Sequence, residues 1–145
     1  MSDTSKNIRV ICQLGNALVK YRNKKAATFN LTSVQMDIMV FLLKNQEKNE
    51  ITQFDVQKYL MLSHPAITGI IKRLEEKGFL KRDHSASDAR YNCLHLTQKV
   101  FELEDALAEN ALEAEKIVLK NMTSTEQAEL HRLLRIALDN IYGSE

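Results

Sequence analysis

Tryptophan is absent from this sequence, and its 145 residues include one proline and four glycines. So little punctuation excludes a turn-rich chain and favours helices joined by short connections. The two cysteines have no CxxC spacing, which excludes a disulfide scaffold and predicts a reducing compartment. No apolar run approaches the roughly 18 residues of a membrane span. The polar stretch from Met1 to Asn7 lacks the apolar centre of a secretory leader, so a cytoplasmic protein without membrane attachment is expected. Catalytic signatures are missing too: there is no GxSxG, no Gly-rich phosphate loop and no HExxH. No Ser/His/Asp set falls where helical geometry would join it, so neither an enzyme nor a cofactor is expected. Cys93 and His95 share a strand face within reach of His84, but His64 and His131 lie elsewhere, and no metal is expected.

The length suits one domain, 1–145, with a single substantial core. A formal net charge of +1 conceals an uneven distribution. Residues 1–30 carry a net +5, residues 31–62 a net −1, residues 63–99 a net +3 and residues 100–145 a net −6. A basic remainder beside an acidic third points towards nucleic acid, although solvated helix faces of either sign would give the same figures.

Apolar residues at Ile8, Ile11, Cys12, Gly15 and Val19 mark a first amphipathic helix over about 6–28. Thr32 can cap a second helix, with Met36, Met39, Val40 and Leu43 as its apolar positions. Thr52 can cap a short helix whose buried side is Val56, Tyr59 and Leu60. Ser63 caps the next, Pro65 lies in its first turn, and Gly78 supplies a left-handed end. Phe79 to Asp83 and Tyr91 to Leu96 then read as two strands around a polar loop. Thr97 is placed to cap one long helix along Val100, Leu103, Leu107, Ala111, Ala114 and Val118, a seam suited to a partner helix. Thr123 and Glu126 form a capping box before a last helix with Leu130, Leu134, Leu138 and Ile141 on one face. The fold class is α+β, mainly helical: a winged helix-turn-helix core over about 32–97, flanked by terminal dimerisation helices over about 6–28 and 97–142.

The helix from Ser63 to Gly78 carries the strongest local pattern. Ile67, Ile70, Ile71 and Leu74 make its inward face, leaving Pro65, Ala66, Gly69, Lys72, Arg73 and Glu76 opposite, with His64 and Thr68 beside them. Small residues at the front would let this helix enter a major groove, with Lys72 and Arg73 near phosphates. An ordinary surface helix with a small-residue patch is the competing reading. The hairpin favours DNA: Lys81, Arg82 and His84 bring positive charge to one arm, and Asp88 can hold Arg90 outward for a minor groove. Alone, Asp88 and Arg90 would be a surface ion pair worth under about 1 kcal/mol.

These residues bear a family resemblance. The run Ser63-His64-Pro65-Ala66-Ile67-Thr68-Gly69-Ile70-Ile71-Lys72-Arg73-Leu74-Glu75-Glu76-Lys77-Gly78-Phe79-Leu80, then Ser87-Asp88-Ala89-Arg90 and Leu94-His95-Leu96-Thr97, resembles the MarR (multiple antibiotic resistance) regulators. Leu31-Thr32-Ser33-Val34-Gln35-Met36 is similar to the opening of the second helix in the same family. The resemblance spans essentially the whole chain. It implies a homodimer on palindromic double-stranded operator DNA, with Ser63, His64, Pro65, Ala66, Thr68, Gly69, Lys72, Arg73, Arg82, Asp88 and Arg90 at the interface. It also implies a repressor released by a small phenolic or otherwise anionic effector bound between the dimer helices and each DNA-binding lobe. Phe29 and Met36 are candidate linings of that cleft and could equally be plain core.

Two positions depart from the family pattern. Val100 stands where the family usually has Gly after Leu-Thr-x-x, and should continue the helical seam. Peroxide-sensing members carry a cysteine where this chain has Gly15; the nearest thiol, Cys12, is one turn earlier. Cys12 is read first as buried core filler, with effector contact or thiol-based redox sensing as its functional alternatives. Cys93 is a weaker sensor candidate still. A helical protein-interaction module without DNA binding is the reading from a different class.

Overall fold

The computed structural model describes residues 5–48, 50–84 and 92–143. Its elements are α1 (Lys6–Ala26), a 3-10 turn (Ala27–Phe29), α2 (Ser33–Lys44), α3 (Gln53–Leu60), α4 (His64–Glu76), β1 (Leu80–His84), β2 (Asn92–Leu96), α5 (Gln98–Phe101), α6 (Glu104–Val118) and α7 (Ser124–Gly143). The chain divides into two compact units, one ending at Ala111 and the other starting at Leu112. No single helix among the described residues is long and apolar enough to cross a membrane.

The first unit is built around α2. Thr32, extended at φ −100°, accepts from the Gln35 amide while the Gln35 side chain accepts from the Thr32 amide, so two of the otherwise unsatisfied first-turn donors are paired. The Asn23 side chain accepts a third N–H, that of Ser33, at 2.8 Å and ties the end of α1 to the start of α2. Burial on α2 extends beyond the expected stripe: Met36, Ile38, Met39 and Leu42 are buried, with Val40 and Leu43 packed at the margin. A helix apolar on most sides is one enclosed by neighbours, here α1 and β2.

The capping box expected nowhere in α3 is present, with Thr52 and Asp55 reciprocally paired. Val56 is fully buried, but Tyr59 is 63% exposed, which corrects its place on the inward face. Its ring stacks on Phe41 with centroids 4.5 Å apart, covering apolar surface while the phenol stays in water. Met61 closes α3 in the left-handed region at φ 57°, a conformation costing a side-chain-bearing residue about 1–2 kcal/mol. Its amide and that of Leu62 return to the α3 carbonyls of Lys58 and Gln57, and the chain reverses into α4 within three residues.

The side chains of Ile67, Ile71 and Leu74 from α4 join Leu80, Leu94, Val100 and Leu107 in the core. The strands pair antiparallel, with Leu80 opposite Leu96 and Arg82 opposite Leu94. Residues before α3 extend the hairpin, since the Leu94 amide donates to the Ile51 carbonyl at 2.8 Å and Thr52 bridges Cys93. That third segment explains why Cys93 is buried although His95, on the same strand face, is exposed.

Three expectations are corrected. Thr97 sits at an extended N-cap position, but its hydroxyl donates to the Gly78 carbonyl at 2.6 Å and makes no cap bond to α5. The long helix is also interrupted: the Leu103 amide bonds to the Val100 carbonyl, a tight i to i−3 turn that separates α5 from α6. Val100 is fully buried at that break, so it serves the first unit's core. Cys12 is exposed on α1, not core filler. In the second unit α7 begins with the expected Thr123–Glu126 capping box, and none of its residues is buried.

Candidate nucleic-acid interface

Helix α4 is fixed at both ends by its own sequence. Ser63 accepts from the Ala66 amide at 3.3 Å, and Pro65 lies in the first turn, where an N–H has no helical acceptor. At the far end Gly78 takes φ 82°, its amide bonding the Glu75 carbonyl and the Phe79 amide that of Leu74. This pair of bonds closes the helix and turns the chain into β1.

Between these ends the two faces differ sharply. Ile67, Ile71 and Leu74 are fully buried, whereas Ser63, His64, Pro65, Ala66, Gly69, Lys72 and Arg73 are exposed. A Cβ built on Gly69 meets nothing within 4 Å, so no neighbour in the fold requires glycine at this position. Mid-helix glycine costs about 0.5–1 kcal/mol against alanine. The front of α4 is therefore a narrow surface of small side chains, with two cations further along the same face.

Thr68 differs from its neighbours. Its hydroxyl donates to the His64 carbonyl and accepts from the Gln53 amide nitrogen, both at 2.9 Å. The hydroxyl thus donates within α4 and accepts the one bond that joins it to α3. Gln53 was not singled out from sequence, and its Oε1 is buried without a hydrogen-bond partner among the described residues.

Arg82 is likewise engaged within the protein. Its guanidinium donates to Glu75 Oε1 from two nitrogens, at 3.2 and 2.9 Å, and its amide faces Glu75 Oε2 at 3.3 Å. This hydrogen-bonded guanidinium holds the Glu75 carboxyl below the ordinary carboxylate range. Arg82 thereby fastens β1 to the last turn of α4, and its charge is locally balanced. The sequence signal was an acid and a base seven residues apart across a helix end, which periodicity within one element does not register. Lys81, opposite His95 in the hairpin, is exposed. Asp88 and Arg90 lie outside the described residues.

The three candidate effector residues do not line a common cleft among the described residues. Phe29 is partly exposed beside a cleft shared with Lys77, Phe79 and Lys99. Met36 is buried, its sulfur accepting from the Asn110 amide nitrogen at 3.1 Å, and Cys12 is on the exposed side of α1. No group of three or more His, Cys, Asp or Glu side chains suited to a metal ion occurs among the described residues.

Residues 29–90 match the MarR family model. The transcriptional regulator PecS of Dickeya dadantii is 27% identical over 126 residues, covering 87% of this chain and 74% of PecS. A MarR regulator structure from Methanosarcina mazei Go1 superposes with a TM-score of 0.84 at 21% identity, covering 100% of this chain and 95% of that one. The S. aureus MepR–DNA complex gives 0.86 at 20% identity, covering 97% and 99%. The matched segment holds the whole helix-turn-helix, and the likeness of fold continues through both terminal regions. The chain is thus similar to the MarR family of transcriptional regulators over residues 29–90 and shares the fold of MarR regulators along its length.

Proposed function

We propose that this protein is a homodimeric, sequence-specific DNA-binding regulator that represses transcription and is released by a small phenolic or anionic effector. The observation that carries the DNA reading is the exposed front of α4, where small residues surround an unfilled Gly69 and lead to Lys72 and Arg73. A major groove about 12 Å wide admits a helix whose leading face is this shallow. MepR, which shares the fold, has been solved with DNA. Two copies of α4 related by a twofold would address half-sites about 34 Å apart, which calls for a palindrome. Lys72 and Arg73 would bind phosphates, and Arg90, oriented by Asp88, would enter the adjoining minor groove. Thr68 and Arg82 are assigned to holding α4 and β1 in place beside the groove, given the partners they already have. Release would follow if effector binding favours a lobe spacing that fits only one half-site.

Fluorescence anisotropy on a palindromic promoter fragment and on random DNA tests the reading. Lys72→Ala should weaken both by a similar factor and reduce the salt slope by about one unit. Arg90→Ala should weaken operator binding substantially while the oligomeric state stays unchanged. A wild-type chain with no salt-sensitive DNA binding would sink the assignment.

A further inference from the structure

Apolar packing holds α3 against α4 without fixing how one is turned on the other. Val56 of α3 and Ile67, Ile71 and Leu74 of α4 belong to one buried cluster, with Leu60 and Ile70 packed against it. Such contacts are non-directional, so a small rotation of α4 about its own axis loses little burial. A hydrogen bond differs, because its length and angle are both restricted. One crosses between the two helices: the Gln53 amide nitrogen donates to the Thr68 hydroxyl at 2.9 Å, and that hydroxyl donates onward to the His64 carbonyl. This relay runs from the first residue of α3 to the first residue of α4, beside the exposed front that carries Pro65, Ala66 and Gly69.

The helix ends do not require Gln53. Thr52 and Asp55 already pair reciprocally at the start of α3, and Ser63 caps α4. The side chain also carries a penalty, since Gln53 Oε1 is buried with no hydrogen-bond partner among the described residues. A buried acceptor left unpaired costs at least about as much as one neutral hydrogen bond contributes. The bond to Thr68 therefore adds little net stability, and a side chain of the same length without polar atoms would suit the fold equally well. A polar group kept under those terms marks a place where function sets the choice.

We infer that Gln53 is a positioning residue for base reading: acting through Thr68, it sets the rotation of α4 in the groove. Groups that contact base edges must be held to within about 0.5 Å and 10–20°. The attraction of Lys72 and Arg73 to phosphates tolerates looser placement. Gln53 therefore contributes to discrimination between sequences and little to affinity for DNA in general. That role rests on the DNA-binding reading above; the fastening of α4 by Gln53 does not.

Gln53→Met keeps the length of the side chain and removes both polar atoms, and its effect on the full chain is read first without DNA. Its thermal midpoint should lie within about 3 °C of wild type. Amide exchange over the first two turns of α4 should nevertheless be at least about threefold faster, because those turns have lost their tie to α3. A midpoint well below wild type makes the residue a stability element and overturns the inference, and unchanged exchange overturns the fastening. Fluorescence anisotropy then separates discrimination from affinity. Operator binding should weaken at least about fivefold, the scale of one lost base contact, while random DNA changes by less than about twofold. Equal weakening on both, or none, overturns the role. Thr68→Val cuts the same bond from its other end and should give the same loss of discrimination, which keeps the test sound if Gln53→Met fails to fold. Because the two residues act as one unit, the double variant should bind operator within about twofold of the weaker single variant. Losses that multiply give Gln53 a DNA contact of its own and overturn positioning. A wild-type chain with no operator binding overturns the function proposed above, and the exchange result still decides the fastening.

Discussion

At Gly69 the fold and the DNA-binding reading make opposite demands. A methyl group there would meet nothing within 4 Å among the described residues and would restrict the unfolded backbone, so Gly69→Ala should stabilise the chain by about 0.5–1 kcal/mol. If the front of α4 lies against base edges, the same methyl stands in the groove. Thermal denaturation should therefore show a higher midpoint while operator affinity drops; a stabilised variant with undiminished affinity would remove this face from the interface. Thr68 teaches a different lesson at the same scale. The sequence placed it beside the exposed face because its helical angle is lateral, and that position was right. Its hydroxyl donates to His64 within α4 but also accepts from Gln53, a partnership set by the docking of α3 on α4. Spacing within one helix carries no information about such a bond.

Elements were legible where end chemistry is local. Thr32, Ser63, Gly78 and Thr123 mark helix ends within a few residues of their partners, and all four behave as their types require. Thr97 failed because a nearer claim on its hydroxyl came from the Gly78 carbonyl, nineteen residues away in sequence. Arg82 was read as a free cation for the same reason, since Glu75 belongs to the preceding helix. Their pairing has a pH consequence. The folded Glu75 carboxyl titrates below its unfolded counterpart because Arg82 hydrogen-bonds its ionised form. The contribution is therefore complete above the ordinary carboxylate range and is lost as pH falls through the lowered folded value. It is small, as exposed pairs are. Amide exchange at Arg82 should be faster in Glu75→Gln than in wild type at neutral pH, with the difference vanishing in acid. Equal exchange at neutral pH would show that the pair does not fasten β1 to α4.

At the scale of the molecule, the terminal helices present a problem that one chain does not solve. In the first unit α1 exposes Ile8, Val10, Ile11, Leu14 and Val19; in the second, Leu112, Ile117, Leu134 and Ile141 are exposed, the last at 61%. The face predicted on α1 is exposed at Ile8, Ile11 and Val19, and that on α7 at Leu134 and Ile141, whereas Leu107 and Ala114 of the predicted α6 seam are buried and the exposed Leu112 and Ile117 lie off it. Contiguous apolar surface of this kind marks a protein contact more often than a solvated face, and a second copy is the partner a palindromic site would require. Sedimentation equilibrium should accordingly give about twice the chain mass of 16.6 kDa. Leu134→Asp combined with Ile141→Asp should return a single-chain mass while helical circular dichroism is retained, because neither residue belongs to a buried core. Operator affinity should fall steeply in that variant, since linking two recognition helices makes the second contact intramolecular. A wild-type chain that sediments as a monomer at micromolar concentration would leave these faces unexplained and would undo the twofold arrangement on which the palindrome argument depends.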